Sequence, residues 1–486
     1  MISSKSSFLA GLLVFILSAC ATMDNDVAKR LKIDSRTTER YHYLAENPFG
    51  YGLLHEGYLI GIEKANKELI YAADGDNDDP YYNLFRTYPS NRHSENQSID
   101  ADRISHLEKV IDDSKALFVS HILAYEPDDA ESARAETNEH STQRRFRTRF
   151  VYNIHPSNYG GQTYSPYESV EIIDSNPNNE YLAGWEALQK SLSQEIHAKV
   201  ENAAERGQPY THLFIGAMGW DNDQIESVNR YNAILGNLIT AARTDRDQSA
   251  RFNPVFVGIT WPSVWGWQSW FDLAQLAYKV FGYGNKANDA DEIGYTLANW
   301  LVNDLALGVK VRSRENDHPL KIVVFGHSFG SRITSRAMFS RYLFKNGAPY
   351  PNEKVDLLIG LQGAFSANRF ISGEGAEGSP YSDFKEIGTP IIMSWSKHDK
   401  ANPLAYLLTR APHIGGFRGH EATVENVHGV FEQIKAEDLV AEHCSKLRRA
   451  DRVFMVDASQ YVLDHGDILD IEMGRLMWTA TQCIGL

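Results

Sequence analysis

The feature that most constrains the fold is the segment of residues 321–344, KIVVFGHSFGSRITSRAMFSRYLF. Its apolar residues 322–325 predict a buried strand, and the apolar spacing after residue 330 predicts a helix. The turn between them, GHSFG, has Ser328 at its centre. A serine on so sharp a turn must adopt a strained backbone conformation, and the flanking glycines allow neighbouring elements to approach closely. We therefore expect the Ser328 hydroxyl to stand clear of the sheet, beside the free N–H groups of a helix start.

The pattern G-x-S-x-G is a modest signal by itself, because so short a pattern recurs by chance in long chains. The strand before it and the helix after it give it more weight. The alternative is an ordinary serine in a glycine-punctuated turn. If Ser328 is a nucleophile, an acid and then a histidine should follow it along the chain.

Composition excludes some classes of function. The chain has 486 residues, of which 43% are hydrophobic, so it can bury the core of one large globular domain or of two moderate ones. Its formal net charge of -15 argues against nucleic acid as a partner, because phosphate binding needs a basic surface. The acidic run at residues 74–80 lacks glycine at the sixth position of a calcium loop, and Phe85 stands at the twelfth position instead of a glutamate, so we interpret the run as a solvated turn. No metal or organic cofactor is predicted.

Residues 1–19 have the features of an export signal. A lysine precedes an apolar stretch, residues 8–17, that is too short to span a bilayer, and LSAC follows at residues 17–20. This tetrapeptide resembles the lipobox of bacterial lipoproteins, which implies cleavage before Cys20 and a lipid on its thiol. Ala21 after it implies, by the sorting pattern of that family, an outer-membrane protein facing the periplasm. The alternative is an ordinary signal peptide with Cys20 as a bystander.

Two further cysteines, Cys444 and Cys483, complete the set. Export places them in an oxidising compartment, and the even remainder favours a disulfide that ties the last helix to the domain. Two separately buried thiols are the alternative.

The chain divides into a signal peptide, an N-terminal extension and a catalytic domain, predicted at residues 1–19, 20–180 and 181–486. In the α+β extension, after a polar tether, we predict helices at residues 53–73 and 105–115 and strands at residues 116–125 and 146–155. The charged stretch between these strands predicts an exposed hairpin loop.

From residue 181 onward, strands alternate with helices, which is typical of a mostly parallel sheet covered on both faces. A helix is predicted at residues 181–206, and the predicted strands are residues 212–217, 255–260, 322–325, 355–361, 391–396 and 453–457. This arrangement predicts a doubly wound α/β sheet. The two strands of the extension could join it as an antiparallel hairpin at one edge.

An acid and a histidine follow the serine in the required order. A serine hydroxyl is a weak nucleophile near neutral pH, so it needs a base and a third group that orients the base. Asp399 follows the predicted strand at residues 391–396, and His465 follows the last one. Loops at the carboxyl ends of parallel strands are where such a sheet carries its site. The order Ser328, Asp399, His465 therefore predicts a catalytic triad.

Four stretches resemble the α/β-hydrolase superfamily, namely LFIGAMGWDND, VFVGITWPS, VVFGHSFGSR and SKHDKAN. Within it, they are similar to a bacterial group of uncharacterised serine hydrolases, and the likeness covers residues from about 181 to about 470. The resemblance implies an oxyanion hole formed by the backbone N–H groups of Trp220 and Phe329. Met218 stands where that family usually has a histidine, before Gly219, but backbone donors do not depend on this side chain.

Other residues near these loops are interpreted as structural, capping or solvated, namely His327, His420, His428, Asp464 and Asp467. The histidines among them remain alternative bases. Asp356 lies too early on its strand to replace Asp399.

Tryptophans cluster after the second strand of the catalytic domain, at Trp261, Trp265, Trp267 and Trp270. They either pack a long loop onto the domain or form a wall of an apolar pocket or a surface that touches lipid. We assign the first three to a substrate pocket. Residues 365–388, rich in glycine and serine, predict a cover that can move over the site.

These features predict a lipid-anchored serine hydrolase that cleaves a small-molecule or lipid carboxylester with an apolar acyl group. An amide or a thioester is the nearest alternative substrate, because the triad chemistry permits both. A non-catalytic envelope binding protein is the alternative from another class, because the extension could serve a protein partner that the sequence does not identify.

Overall fold

The computed structural model shows an α/β fold built on one mostly parallel sheet, as the sequence predicts. The described residues are 52–64, 117–127, 146–153, 177–220, 222, 224–245, 252–261, 263, 272–341, 349–371, 377, 381, 383–402, 406, 409–425, 429–439 and 444–485.

Among these residues, the sheet has ten strands in the order β3-β2-β1-β5-β4-β6-β7-β8-β10-β9. They are β1 Gly57–Lys64, β2 Leu117–Pro127, β3 Phe146–Asn153, β4 His212–Ala217, β5 Pro254–Thr260, β6 Lys321–His327, β7 Leu357–Leu361, β8 Ile391–Trp395, β9 Phe431–Lys435 and β10 Val453–Asp457. The β1–β2 and β2–β3 pairs are antiparallel, and all the other pairs are parallel. The predicted antiparallel hairpin at the sheet edge is therefore confirmed.

Helices cover both faces of the sheet. They are α1 Pro177–Glu205, α2 Gln224–Thr244, α3 Asp272–Tyr295, α4 Leu297–Trp300, α5 Leu307–Glu315, α6 Phe329–Met338, α7 Phe384–Ile387, α8 Phe417–Val424, α9 Cys444–Leu447 and α10 Ile471–Cys483. A π-helical segment, Leu301–Ala306, joins α4 to α5, and short 3-10 helices occupy Ala367–Phe370 and Ala436–Asp438.

Two apolar cores lie on opposite sides of the sheet. One contains residues of α1, α3 and α6, and the other contains residues of α2 and α10. Because both faces are covered, the central strands are buried along their whole length, which explains their continuous apolar runs.

Two strands differ from the sequence-based expectation. The predicted helix at residues 53–73 is wrong, because Gly57–Lys64 is a strand that pairs with β2 on one side and with β5 on the other. Its consecutive residues Tyr58, Leu59 and Ile60 are all fully buried, so the periodicity of the run does not distinguish a strand from a helix. Strand β9, at the edge of the sheet, was not predicted either, because three of its five residues are polar or charged, and Glu and Lys are uncommon in strands.

The cysteines of the last segment form a disulfide. Cys444 at the start of α9 bonds to Cys483 at the end of α10, with a Cα–Cα distance of 4.6 Å. The bridge ties the last helix to the segment before β10, in the position that the sequence suggests.

Several predicted features lie outside the described residues, namely residues 1–19, Cys20, the tether, the acidic run at 74–80, the helix at 105–115, residues 128–145 of the loop predicted at 126–145, Trp265, Trp267, Trp270 and His428. Within the described part of the chain, no helix combines the length and apolar character needed to cross a membrane.

Candidate active site

Ser328 sits on the strained turn between β6 and α6. Its φ of 55° and ψ of -122° lie in a region that non-glycine residues rarely adopt. The turn holds this conformation because the Ser328 N–H donates to the Leu361 carbonyl at 3.0 Å. A side chain on Gly330 would overlap the Ala217 carbonyl, so the glycine permits the close approach that the sequence predicts.

The structure brings the three predicted triad residues together. His465 Nε2 lies 2.8 Å from Ser328 Oγ, and His465 Nδ1 lies 2.8 Å from Asp399 Oδ2. The carboxylate accepts, so Nδ1 carries the proton and Nε2 is left to accept from the serine hydroxyl. This is the hydrogen-bond order in which a histidine can remove a proton from serine.

Asp399 is held in one orientation by four donors. Its Oδ1 accepts from the backbone N–H groups of Ala401 and Asn402, at 3.0 and 3.1 Å. Its Oδ2 accepts from His465 and from the Asn402 side-chain amide, the latter at 2.7 Å. The carboxylate side chain is fully buried, and its negative charge is offset by these donors.

The loop that carries His465 is fixed by polar contacts. His327 Nε2–H donates to the His465 carbonyl at 2.9 Å, so the residue before the serine positions the base but does not replace it. Burial, together with the nearby His465 and Arg230, holds the pKa of His327 well below its usual value, so its ring is neutral. Asp464 accepts from the His465 N–H, and Asp467 accepts from the Leu463 N–H. Both aspartates therefore accept local backbone hydrogen bonds, and neither caps a helix, because the helix that follows is capped at Asp470.

One of the two predicted oxyanion donors, the Trp220 N–H, lies in the segment after β4, and the other, the Phe329 N–H, lies at the start of α6. The Asn222 side-chain amide donates to the carbonyls of Gly219 and Trp220, each at 3.0 Å. In a trans peptide the N–H points opposite to the C=O, so the Trp220 N–H faces away from Asn222. Among the described residues, no acceptor binds this N–H or that of Phe329. Gly219 lies against Ser328, since a Cβ on it would be 2.6 Å from the serine Cβ.

Two residues of the stretch WPS, which follows β5 at residues 261–263, bind the segment after β4 that contains Met218 and Asn222. Trp261 is buried, and its indole Nε1–H donates to the Met218 carbonyl at 2.8 Å. Ser263 Oγ donates to the Asn222 carbonyl and accepts from its N–H. The sequence reasoning missed Asn222 and Ser263, although both belong to the stretches GWDND and WPS that carry the family likeness.

Three aromatic rings gather beside these donors. Trp220, Phe329 and Tyr283 have ring centroids 5.0 to 6.1 Å apart. Tyr283 and Phe329 are buried, whereas Trp220 is only partly buried. The side chains that flank the two predicted donors are therefore aromatic and uncharged.

A buried ionic cluster fixes helix α6 behind the serine. Asp291 of α3 contacts Arg332, Arg336 and Arg369. Burial raises the pKa of Asp291, but the three guanidinium groups outweigh this effect and hold it well below its usual value. The spacing of Arg332 and Arg336 on an apolar helix was the available signal for this cluster.

The predicted cover is attached to this cluster. Glu377 accepts from Arg332 and Arg369 at 2.7 and 2.8 Å, and Tyr381 packs on Phe339. The described part of residues 365–388 is therefore anchored by buried contacts and not free of the domain.

The other candidate residues lie elsewhere. Asp356 accepts from Lys310 at 2.8 Å and from the Ile322 N–H, at the start of the strands and away from the triad. His420 stacks on Trp395 at 3.8 Å between ring centroids. The two rings line a cavity of about 490 Å³ beside β9, and no triad residue lines this cavity. Among the described residues, no group of three His, Cys, Asp or Glu side chains could hold a metal ion.

No protein-family model matches the chain, and no curated protein matches it either. Function is therefore inferred from the geometry of the site itself.

Proposed function

We propose that this chain is a serine hydrolase of the α/β-hydrolase superfamily that cleaves carboxylesters and is anchored to the outer membrane by a lipid on Cys20. One observation carries the proposal. Ser328 Oγ, His465 and Asp399 are joined by two hydrogen bonds of 2.8 Å, with the serine on a backbone conformation that ordinary turns do not need. Binding alone requires neither a strained backbone at Ser328 nor the alignment of this serine with His465 and Asp399.

In the proposed first half-reaction, Ser328 Oγ attacks the ester carbonyl while His465 Nε2 takes its proton. Asp399 keeps the imidazole in the correct tautomer and stabilises the positive charge that forms on it. The N–H groups of Trp220 and Phe329 would receive the oxyanion of the tetrahedral intermediate. His465 then returns the proton to the leaving alcohol, and an acyl-enzyme remains.

In the second half-reaction, water replaces the alcohol. His465 removes a proton from the water as it attacks the acyl carbon, and the same oxyanion donors stabilise the second tetrahedral intermediate. Ser328 leaves with the proton from His465, which restores the free enzyme and releases the carboxylic acid. The balance needs no electron transfer and no further co-reactant.

The surroundings of the donors favour an apolar acyl group. The rings of Trp220, Tyr283 and Phe329 flank the donors, and Trp220 keeps a partly exposed surface. Such rings contribute apolar contact area to a bound acyl chain without adding a charge. This supports an ester with an apolar acyl group over a charged substrate.

Labelling with a fluorophosphonate, which reacts with activated serines, tests the mechanism directly. We expect labelling of the wild-type chain and none of Ser328→Ala. Ser335→Ala is the matched control, because Ser335 is a buried serine of helix α6 whose hydroxyl donates to the Ser331 and Arg332 carbonyls of its own helix. Full labelling of folded Ser328→Ala would refute the assignment.

Turnover assays then separate the substrate classes. Short p-nitrophenyl esters should be cleaved faster than matched p-nitroanilides and thioesters, and His465→Ala should lose most of the rate while His420→Ala retains it. Preferred cleavage of the anilide or thioester would leave the triad assignment intact and change the substrate class. A wild-type chain that is neither labelled nor active would favour the binding-protein alternative.

A further inference from the structure

A chain of buried hydrogen bonds continues from Asp399 into the core, away from Ser328. The Asn402 side-chain amide donates to Asp399 Oδ2 at 2.7 Å. Asn402 Oδ1 lies 3.1 Å from His413 Nδ1, and His413 Nε2 lies 2.9 Å from the Tyr283 hydroxyl. The side chains come from α3, from the loop after β8 and from the segment before α8, so tertiary packing alone brings them into one line.

The direction of every hydrogen bond in this chain is determined. A carboxylate can only accept, so the NH₂ group of Asn402 must face Asp399 and its carbonyl oxygen must face His413. That oxygen needs a donor, so His413 carries its proton on Nδ1. The bare Nε2 of His413 then accepts from the hydroxyl of Tyr283. Reversing any one bond would set two acceptors against each other.

The chain of hydrogen bonds from Asp399 to Tyr283 is buried along its length, and the rings of His413 and Tyr283 are both neutral. Asn402, His413 and Tyr283 are 3%, 1% and 6% exposed. Burial lowers the pKa of His413 to about 4, although Glu377 and Asp399 act to raise it. Burial also raises the pKa of the Tyr283 hydroxyl, which therefore keeps its proton. Water does not compete for these bonds, so their geometry is restrained.

Tyr283 joins this chain to the opposite side of the site. Its ring contacts Phe329 at 5.0 Å and Trp220 at 6.1 Å between centroids, and these are the two residues assigned as oxyanion donors. The residues that orient the acid and those that carry the donors are thus in contact through one tyrosine.

We propose that Asn402, His413 and Tyr283 are positioning residues that hold the Asp399 carboxylate in register with His465 and with the oxyanion donors. This inference rests on the proposed hydrolase function. Asp399 Oδ2 is shared between His465 and Asn402, so Asn402 fixes the oxygen to which the imidazole donates. Without it, the carboxylate keeps its two backbone donors on Oδ1 and can turn about them.

The test combines two single variants with their double variant. Asn402→Ala removes the donor to Asp399, and Tyr283→Phe removes only a hydroxyl at the far end. We expect each to lower kcat by about 10- to 100-fold with KM changed less than about twofold, because misalignment of this size affects the reaction more than binding. The double variant should lose little more than the worse single variant, since either change breaks the same chain.

Asn303→Ala is the matched control. Asn303 is an equally buried asparagine whose amide donates to Asn299 and to the Ala337 carbonyl, outside the chain and outside the site. It should lose stability without a comparable loss in kcat. The proposal would be contradicted if the fold losses in kcat of the two single variants multiplied in the double variant, or if Asn303→Ala lost as much kcat as Asn402→Ala. Either result would show that the hydrogen-bond chain is merely structural.

A spectroscopic readout keeps the test independent of turnover. The hydrogen-bonded Nδ1 proton of His465 should give a downfield proton NMR resonance, identified by its loss in His465→Ala. We expect this resonance to shift or broaden in Asn402→Ala and Tyr283→Phe but not in Asn303→Ala. An unchanged resonance and unchanged kcat in folded Tyr283→Phe and Asn402→Ala would overturn the proposal. Activity retained in Ser328→Ala would instead refute the hydrolase mechanism, and the resonance would still report on the chain.

Discussion

Replacing Gly219 with alanine adds one methyl group to the segment after β4 and tests whether that segment supplies an oxyanion donor. The backbone of Gly219 is not left-handed, so alanine adds no conformational strain there. The added Cβ would lie 2.6 Å from the Ser328 Cβ and 3.2 Å from its Oγ. Carbon atoms pack at about 3.5 Å or more, so the two elements must separate by about 1 Å.

The serine side of this contact cannot yield easily. Ser328 is held at φ 55° and by its hydrogen bond to Leu361, and Gly330 behind it already touches the Ala217 carbonyl. The segment at Gly219 must therefore move, and the Trp220 N–H moves with it. A misplacement of about 1 Å costs about 100-fold in rate, and loss of one oxyanion donor costs about 100- to 1,000-fold in kcat. We expect Gly219→Ala to lose at least about 100-fold in kcat.

Initial rates on short p-nitrophenyl esters measure kcat and KM, and circular dichroism checks folding. Gly236→Ala is the matched control, because Gly236 lies in helix α2 and the nearest atom to its added Cβ is His55 Nε2 at 3.9 Å. That variant should keep full activity and gain about 0.5 to 1 kcal/mol of stability from helix propensity. If folded Gly219→Ala turned over like wild type, the segment after β4 would not supply the donor.

Three further predictions concern stability and localisation. Lowering the pH from about 7 to about 5 should reduce the unfolding free energy by on the order of 2 kcal/mol for a buried neutral histidine such as His413. The lowered pKa keeps His413 uncharged in the folded protein, whereas the same histidine takes up a proton in the unfolded chain over this pH range. His327 acts in the same direction, and equal urea midpoints at the two pH values would contradict this. Replacing Cys444 and Cys483 with serine should lower the unfolding free energy by on the order of 4 kcal/mol, because the bridge joins positions 39 residues apart; a loss below about 1 kcal/mol in denaturant titrations would refute this. Wild type should partition into detergent and Cys20→Ala into the aqueous phase, and identical partitioning would exclude the lipid anchor.

The triad geometry could be predicted because each member carries a local signal. Ser328 has its turn, and Asp399 and His465 each follow an apolar run that reads as a strand. Parallel strands end at one edge of a sheet, so the topology alone brings these loops together. The strands β4 and β10 have the predicted bounds because each of them is an apolar run with its own local signal.

The supporting contacts could not be predicted, because their partners are far apart in sequence. His413 and Tyr283 are separated by 130 positions, and neither residue is distinctive in its own segment. Strand β1 was missed for a related physical reason. Its apolar run is buried between two neighbours, and a short buried run has neither the alternation of an edge strand nor the period of a helix.

The contacts of Met218 show how the segment after β4 is held at a position where the chain differs from the α/β-hydrolase pattern that its sequence resembles. Its side chain is fully buried in the core on the α2 side, where it contributes apolar packing. Its carbonyl accepts from Trp261, and the carbonyls that follow accept from Asn222, which Ser263 holds in turn. The direction of the backbone N–H groups is thus set by three polar side chains that do not include residue 218. Two of them lie just beyond β5, the strand that pairs with β4, so the stretches GAMGWDND and GITWPS act as one structural unit. We therefore expect an apolar side chain of similar size at 218 to be tolerated, whereas loss of the Asn222 amide should free the peptide that carries the Trp220 N–H.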